Sequence, residues 1–503
     1  MIRGRISLRS VLAGWLGAGL CACGQLGRVE LGREVAIARH MRDGEEYHTP
    51  VGELIAYGRR LFEARWTIQE GAGRPMCKGT GAALTDATEP LVFPRAFNRV
   101  SGPDANSCAG CHNIPYAGGS GEFVTNAMVM AQRFDFADFD GADRRPARCS
   151  VDERGRSVTL EDIGDSRRTP ALYGAGFIEM LAREMTADLV AIRDSVPLGG
   201  SAELVTKGIH FGVLQRGTDG SWDTGLVEGL PMPSLASRGP RDPPDLAVRP
   251  WGQSGQFRTL REFTVNAFNQ HHGMQPVEMA GAGTDPDGDG VKNELTRADI
   301  TAVVLFEAAL PVPAAQTPKS AAEREAAALG RREFRQIGCA ECHVPLLPLG
   351  RRDRWFVASG PYDGLGSLRG GDKPVVSVDL TSAATAGPRL RPDSDGGVWV
   401  PAFTDLKLHD ITSGPGDPNA EPVDPGRTPG TAAFFAGNRR FLTRRLWGVA
   451  STPPYFHHGQ FTTMREAVLA HSGEALRSRM EFGRLGAYER DAVIEFLKTL
   501  VVR

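Results

Sequence analysis

Cysteine is scarce in this chain, eight residues in 503, which excludes a small core stapled by many disulfides. Neither sign of charge dominates: 58 Lys and Arg face 60 Asp and Glu, for a formal net charge of −2. With no long basic run either, the electrostatic footprint of a nucleic-acid binder is missing. Long apolar runs are missing too. Val11–Leu20 is too short to cross a bilayer unless extended, and no other segment reads as transmembrane. Alternation with period two is rare, which argues against an all-β fold. What remains, 41% hydrophobic and 23% charged residues, is the ordinary make-up of a globular protein with room for about two to four domains.

The N-terminus reads as a targeting segment. Arg3, Arg5 and Arg9 form a basic region ahead of the apolar Val11–Leu20. Leu20-Cys21-Ala22-Cys23 then resembles a bacterial lipobox with Cys23 as the lipidated residue. Cleavage after Ala22 to give a free periplasmic protein is the other reading. Residues 1–23 are thus expected to be a signal peptide and 24–50 a tether or N-terminal arm. The expected location is the periplasm, with membrane contact only through a lipid anchor.

The few cysteines are not scattered. Cys108-Ala-Gly-Cys111-His112 and Cys339-Ala-Glu-Cys342-His343 both spell Cys-x-x-Cys-His, the pattern for covalent attachment of a c-type haem. Two thiols add across the haem vinyl groups, and the adjacent imidazole lies under the iron as proximal ligand. Chance supplies on the order of 0.003 such motifs in a chain of this composition. A zinc knuckle or a thiol redox pair is the competing reading, but each motif offers three ligands where structural zinc takes four. Two c-type haems are therefore the expected cofactors. Four cysteines go to haem, Cys21 leaves with the signal and Cys23 carries lipid. Cys77 and Cys149 remain, as a disulfide or as two unrelated buried thiols.

Helical periodicity appears at Val51–Trp66, Glu179–Val196, Thr259–Phe268, Thr296–Leu310, Ala321–Ile337, Met464–His471 and Ala487–Val501. Residues 197–250 and 344–440 are rich in Gly and Pro, and the first of these reads as an insertion running over the surface. Each haem motif shares the order helix, motif, loops, returning helix. The expected class is mostly α, with two cytochrome c-like haem domains carrying long irregular loop insertions. These span 51–313 and 320–503, joined by Ala314–Lys319.

Longer signatures carry a family resemblance. Leu446-Trp-Gly-Val-Ala-Ser-Thr-Pro-Pro-Tyr-Phe-His457-His-Gly459 and Thr404-Asp-Leu-Lys-Leu-His409 resemble elements of the bacterial di-haem cytochrome c peroxidases. Arg168-Thr-Pro-Ala-Leu172, Trp251 with Thr259-Leu260, and Gln275-Pro-Val-Glu278-Met279 resemble that superfamily's first-haem pocket. The position where those peroxidases carry a methionine ligand for the C-terminal haem holds His471, as in the related di-haem oxidoreductases and rubber oxygenases. The resemblance implies bis-histidine ligation by His343 and His471, which lowers the potential relative to His/Met. It implies that the C-terminal haem relays electrons to a catalytic N-terminal haem. His457 is the competing ligand, and His409 and His457 otherwise hold the fold or reach haem propionates.

Glu278 is the implied acid–base residue. A carboxylate near an open iron site, its pKa raised by partial burial, takes a proton from one peroxide oxygen and returns it to the other. The bland alternative is a surface Glu on a loop. Trp251 is either an electron relay between haems or a large core residue. There are departures from the family. Phe263 stands where a distal glutamine is expected, and His271 or His272 is placed to close the first iron in a resting state. Gly174 replaces the asparagine of the family's inter-domain calcium site, whose carbonyl donors match Thr452 and Pro454. A separate loop, Asp285-Pro-Asp287-Gly-Asp289-Gly290, has the alternating carboxylates of a calcium site but Thr296 at the twelfth position. An acidic turn capping the next helix is its other reading, with Glu294 as a substitute ligand in the first. The implied partner is a periplasmic electron donor, a small cytochrome or cupredoxin, or else an organic or protein substrate.

Overall fold

Helix-starting chemistry recurs along the chain and sets the scaffold of this computed structural model. It describes residues 31–73, 105–121, 124–128, 146–151, 157–159, 164–285, 289–358, 376–424, 426–427 and 431–502. The signal segment, Cys77 and Asp287 lie outside them, and Cys149 is described in its backbone alone, so the lipid-anchor and disulfide readings fall outside as well. The chain divides into two units, Met1–Glu34 and Val35–Arg503, and the second carries everything below. Among the described residues, no helix is long and apolar enough to cross a membrane.

The helices are α1 (Val51–Glu63), α2 (Ala175–Ser195), α3 (Leu260–His272), α4 (Arg297–Ala308) and α5 (Ala321–Gln336). Near the end come α6 (Met464–Ala470), α7 (Leu476–Arg484) and α8 (Ala487–Lys498). Thr296 with Asp299, Ser320 with Glu323 and Thr463 with Glu466 form capping boxes that start α4, α5 and α6. Each box satisfies backbone N–H groups that the first turn leaves open. Helix α4 is buried on every side, from Ala298 to Ala308, and Pro311 and Pro313 bar its continuation. The sequence reading contains no α7. It also extends α8 too far: the helix stops at Lys498, and Leu500–Val501 pairs antiparallel with Ala314–Ala315.

Two helix crossings repeat one design. At Gly58, α1 meets α4 so closely that a Cβ would lie 1.9 Å from the Ala302 carbonyl oxygen. At Gly330, α5 meets α8, and a Cβ would lie 1.8 Å from the Ala492 carbonyl oxygen. A side chain at either point forces backbones apart, at about 1–3 kcal/mol. The sequences there are Gly58-Arg-Arg-Leu-Phe62 and Gly330-Arg-Arg-Glu-Phe334.

The expectation of a mostly helical chain is corrected to a helix-leaning mixed fold with small antiparallel sheets. The largest lies inside the stretch read as a surface insertion: Ser201–Thr206, Ile209–Arg216 and Trp222–Val227 form three antiparallel strands. Leu204, Thr206, Ile209, Phe211 and Leu214 are buried there, the first hairpin turning at Lys207-Gly208 with φ of 51° and 76°. Register shifts at Glu203/Val205 and Val213/Gln215 break the alternation, which is why period two does not show in the sequence. The remaining sheets pair two short strands each, among them Leu408–Asp410 with Arg440–Leu442 beside the second motif's cavity.

Candidate haem centres

Both Cys-x-x-Cys-His motifs fold as one helical turn, Cys108–Cys111 and Cys339–Cys342, with the histidine capping its end. The two histidines are held alike. His112 Nδ1 donates to the Gly119 carbonyl at 3.1 Å, and His343 Nδ1 donates to the Phe403 carbonyl at 3.1 Å. A carbonyl only accepts, so the proton sits on Nδ1 and Nε2 keeps a bare lone pair, the form in which imidazole binds a metal. Phe62 and Phe334, the last residues of the two repeated pentapeptides, lie beside them with ring centroids 6.2 and 6.4 Å away. Burial pushes both imidazoles down to about 4, keeping them neutral.

Each histidine opens on a cavity. The second, about 240 Å³, is lined by Cys339, Cys342, His343, His457 and His471. His471 Nδ1 donates to the Ala467 carbonyl at 2.7 Å, which leaves its Nε2 bare as well. His343 and His471 are close enough that each one's charge disfavours the other's. That donor set fits a bis-histidine haem. The first cavity, about 480 Å³, is lined by Cys108, Cys111, His112, Trp251, Phe263 and His271, among others.

The cavities share a wall of Arg168, Pro170, Gln253, Leu442, Thr443, Arg444 and Arg445. Its three guanidiniums have no carboxylate within ion-pair distance among the described residues. Burial above all, and then neighbouring guanidiniums (Arg444 acting on Arg168 and Arg445, Arg167 acting on Arg444), push Arg168 and Arg444 down to about 10 and Arg445 to about 9. Around the same wall, buried nitrogens lack partners among the described residues: Arg168 Nε, Trp251 Nε1, Trp447 Nε1 and both ring nitrogens of His457. Uncompensated donors of this kind call for anionic acceptors. Haem propionates, two per haem, supply that chemistry. The chain's own residues therefore fit two haems, whose propionates Arg168, Arg444 and Arg445 would neutralise. None of the three arginines is assigned in this role by the sequence reading, because positions 168, 444 and 445 meet only through folding.

The other sequence-derived residues are distributed as follows. Trp251 is buried on the first cavity, with the Arg445 guanidinium 5.6 Å over its ring and Phe263 at 6.5 Å. Phe263 thus does face the first motif, packed also on Phe257. His271 lines that cavity, near enough to disfavour a proton on His112. His272 lines the cavity too, with Nδ1 donating to the Ala105 carbonyl and Nε2 3.3 Å from Cys108 Sγ. Glu278 does not line the cavity. Its carboxylate is fully buried and clamped by Arg261, whose Nε and Nη2 both donate to it. A different carboxyl, Glu307 on α4, does line the cavity, and burial pushes it up to about 8.

Asp285 accepts from the Asp289 and Gly290 backbone N–H groups, and Asp289 from Val291 N–H, so both described carboxylates brace their own loop. Glu294 is buried and turned inward, accepting from Gln275 N–H. At the family's inter-domain calcium position, a Cβ on Gly174 would lie 2.4 Å from the Trp447 ring. The Thr452 carbonyl accepts from the Arg168 guanidinium, so a fixed cation already meets that oxygen.

His409 bridges Asp405, at 2.8 Å from Nε2, and Glu474, at 2.6 Å from Nδ1. Burial works against its charge, but hydrogen bonds with Asp405, Cys342 and Glu474 outweigh burial and hold it up at about 11. The folded pKa lies above the unfolded value of about 6.5, so the stabilisation is complete below that pH and fades as pH rises toward 11. His409→Asn is therefore expected to cost about 1.5–3 kcal/mol at pH 6 and progressively less toward pH 10, measured by denaturant unfolding. A cost that grows with pH would refute the charged bridge.

Residues 395–500 match the family model described as "Di-haem oxidoreductase, putative peroxidase". This stretch is similar to a di-haem oxidoreductase domain. The matched stretch contains Phe403, His409, the 446–459 signature, His457 and His471, and begins after the second haem motif. No curated protein matches the chain. Among solved structures, the hydrazine synthase of Kuenenia stuttgartiensis, pressurised with 20 bar xenon, is similar over 98% of this chain and 100% of that chain, at 14% identity and a TM-score of 0.35.

Proposed function

We propose that the chain is an exported di-haem c-type oxidoreductase that reduces peroxide. The observation that carries this reading is the pair of anchored imidazoles, His112 and His343, each with a bare Nε2 on a cavity and a common arginine wall between them. Covalently held haem supplies, at each site, an iron that exchanges one electron at a time and, at the first, binds the oxidant. His343 and His471 hold the second site closed with two nitrogen donors, suiting it to electron transfer. Arg168, Arg444 and Arg445 neutralise propionates and screen the two sites from each other. Trp251, stacked under Arg445, offers an aromatic stepping point at the wall. The overall reaction takes one hydrogen peroxide, two electrons and two protons to two waters, the electrons coming from a periplasmic donor such as a small cytochrome or cupredoxin. The basic and apolar N-terminal segment and the thioether chemistry of the motifs support export.

His271 favours a second reading, a carrier whose first iron is also closed by imidazole. The resting optical and electron paramagnetic spectra separate the two. A high-spin ferric signal with rapid reaction toward hydrogen peroxide is the expected result. Two low-spin haems in every redox state, inert to peroxide and oxygen, would replace the peroxidase reading with the carrier. Peroxide inertness with oxidation of an organic or protein substrate would instead favour an oxygenase- or methylamine-utilisation-type enzyme.

A further inference from the structure

We propose that Glu307 is the proton-holding group of the first haem cavity and donates a proton that its oxidant needs, a role that rests on the peroxide-reducing reading above. Glu307 sits near the end of α4, 5% exposed, on the wall that also carries Cys108 and His112. Its Oε2 lies 2.6 Å from Thr264 Oγ1. That hydroxyl is also 2.8 Å from the Leu260 carbonyl, one turn back along α3. A hydroxyl has one proton. Here it is shared between two acceptors, the Leu260 carbonyl and the Glu307 carboxyl, and no other side chain donates to Glu307 among the described residues. A buried carboxyl with one shared hydroxyl donor and no cation beside it is set up to hold a proton.

The surroundings agree. Glu179 is the carboxylate whose charge acts on Glu307, and it is held by Arg183 and by the Leu260 N–H. Cys108 is the other ionisable neighbour, and haem attachment converts its thiol to a thioether. Glu262 lines the same cavity but accepts from the Arg258 and Thr259 side of α3's first turn, where Arg258 N–H donates to it at 3.0 Å. No guanidinium or ammonium pairs with Glu307 among the described residues, whereas Arg261 clamps Glu278. Burial without a cation lifts the Glu307 acid to about 8, so it keeps a proton at neutral pH and can part with it there. In the balance of one peroxide, two electrons and two protons, Glu307 gives one proton to the departing oxygen as water forms. It regains that proton from solvent, and the electrons come from the donor named above.

Infrared spectroscopy of the holoprotein tests this without turnover. The protonated-carboxyl C=O band present at pH 7 is expected to bleach as pH rises through about 8. It should be absent in Glu307→Gln and retained in Glu278→Gln. Thr264→Val removes a hydrogen bond that favours the carboxylate, so the bleaching midpoint moves to higher pH. That variant keeps the test alive if Glu307→Gln accumulates poorly. Stopped-flow mixing with peroxide should show Glu307→Gln slowed by about 10²-fold or more. A band that survives in Glu307→Gln, or a midpoint unmoved in Thr264→Val, overturns the assignment. Wild type with the band but inert to peroxide overturns the peroxidase reading while sustaining Glu307 as the cavity's proton site. An unslowed Glu307→Gln in a peroxide-competent background overturns its donor role alone.

Discussion

Replacing Cys108 and Cys111 together by alanine will leave a chain that binds one haem instead of two and reduces peroxide only at background rate. At the first site the groups that would anchor a haem in the peroxidase reading are the Cys108 and Cys111 sulfurs, the Nε2 of His112 and the arginine wall. Without the thioethers the haem is free to leave, and the wall's other face still belongs to the second site. Haemochrome stoichiometry and intact mass measure the loss directly. The partner variant, Cys339→Ala with Cys342→Ala, should also carry one haem but keep the first iron's reaction with a single equivalent of peroxide, losing steady turnover with a donor. Equal behaviour of the two variants would remove the division of labour between the sites. Two haems bound in either would remove the attachment assignment itself.

What could be read in the sequence follows from how local each signal is. The haem motifs and the capping boxes at Thr296, Ser320 and Thr463 lie within a few residues, so their chemistry shows before folding. His471 was reachable through a signature in the same stretch of chain. The sheet at 201–227 was not, because two bulges shift its buried face mid-strand. The arginine wall was not either, since Arg168 meets Arg444 and Arg445 from the far side of the sequence. Glu278 and Glu307 show the limit most plainly. Local context favoured the first, but of these two only the second lines the cavity, and the Arg261 clamp and the Thr264 contact tell them apart. One signal was legible and easily missed. Gly58-Arg-Arg-Leu-Phe62 and Gly330-Arg-Arg-Glu-Phe334 mark equivalent helix crossings and equivalent aromatic neighbours of His112 and His343. A long insertion separates the first copy from its haem motif, while the second copy runs almost directly into its own.

His471→Gly is expected to convert the second haem from low-spin to high-spin and to slow steady turnover on the order of tenfold or more, because the electron-transfer iron loses a strong-field nitrogen. The competing ligand is His457, which lines the same cavity. Two features favour His471. A metal-bound imidazole almost always donates its other N–H, which fixes the ring and strengthens the ligating nitrogen. His471 has that donation to Ala467, while among the described residues neither nitrogen of His457 makes a well-formed hydrogen bond. His457 instead lies flat on Phe441, ring centroids 3.8 Å apart at 13°, and burial pushes it down to about 3. That makes it a weak base held in a fixed plane at the propionate wall. His457→Phe should therefore keep the low-spin signal. His471→Met should keep the second haem six-coordinate but raise its potential by on the order of 0.1 V, part of the ~0.8 V that axial ligands span. Imidazole added to His471→Gly should restore the low-spin spectrum by filling the space the side chain vacates. If His457→Phe gives the high-spin haem and His471→Gly does not, the ligand assignment passes to His457, and the Ala467 anchor becomes a feature of helix α6's end alone.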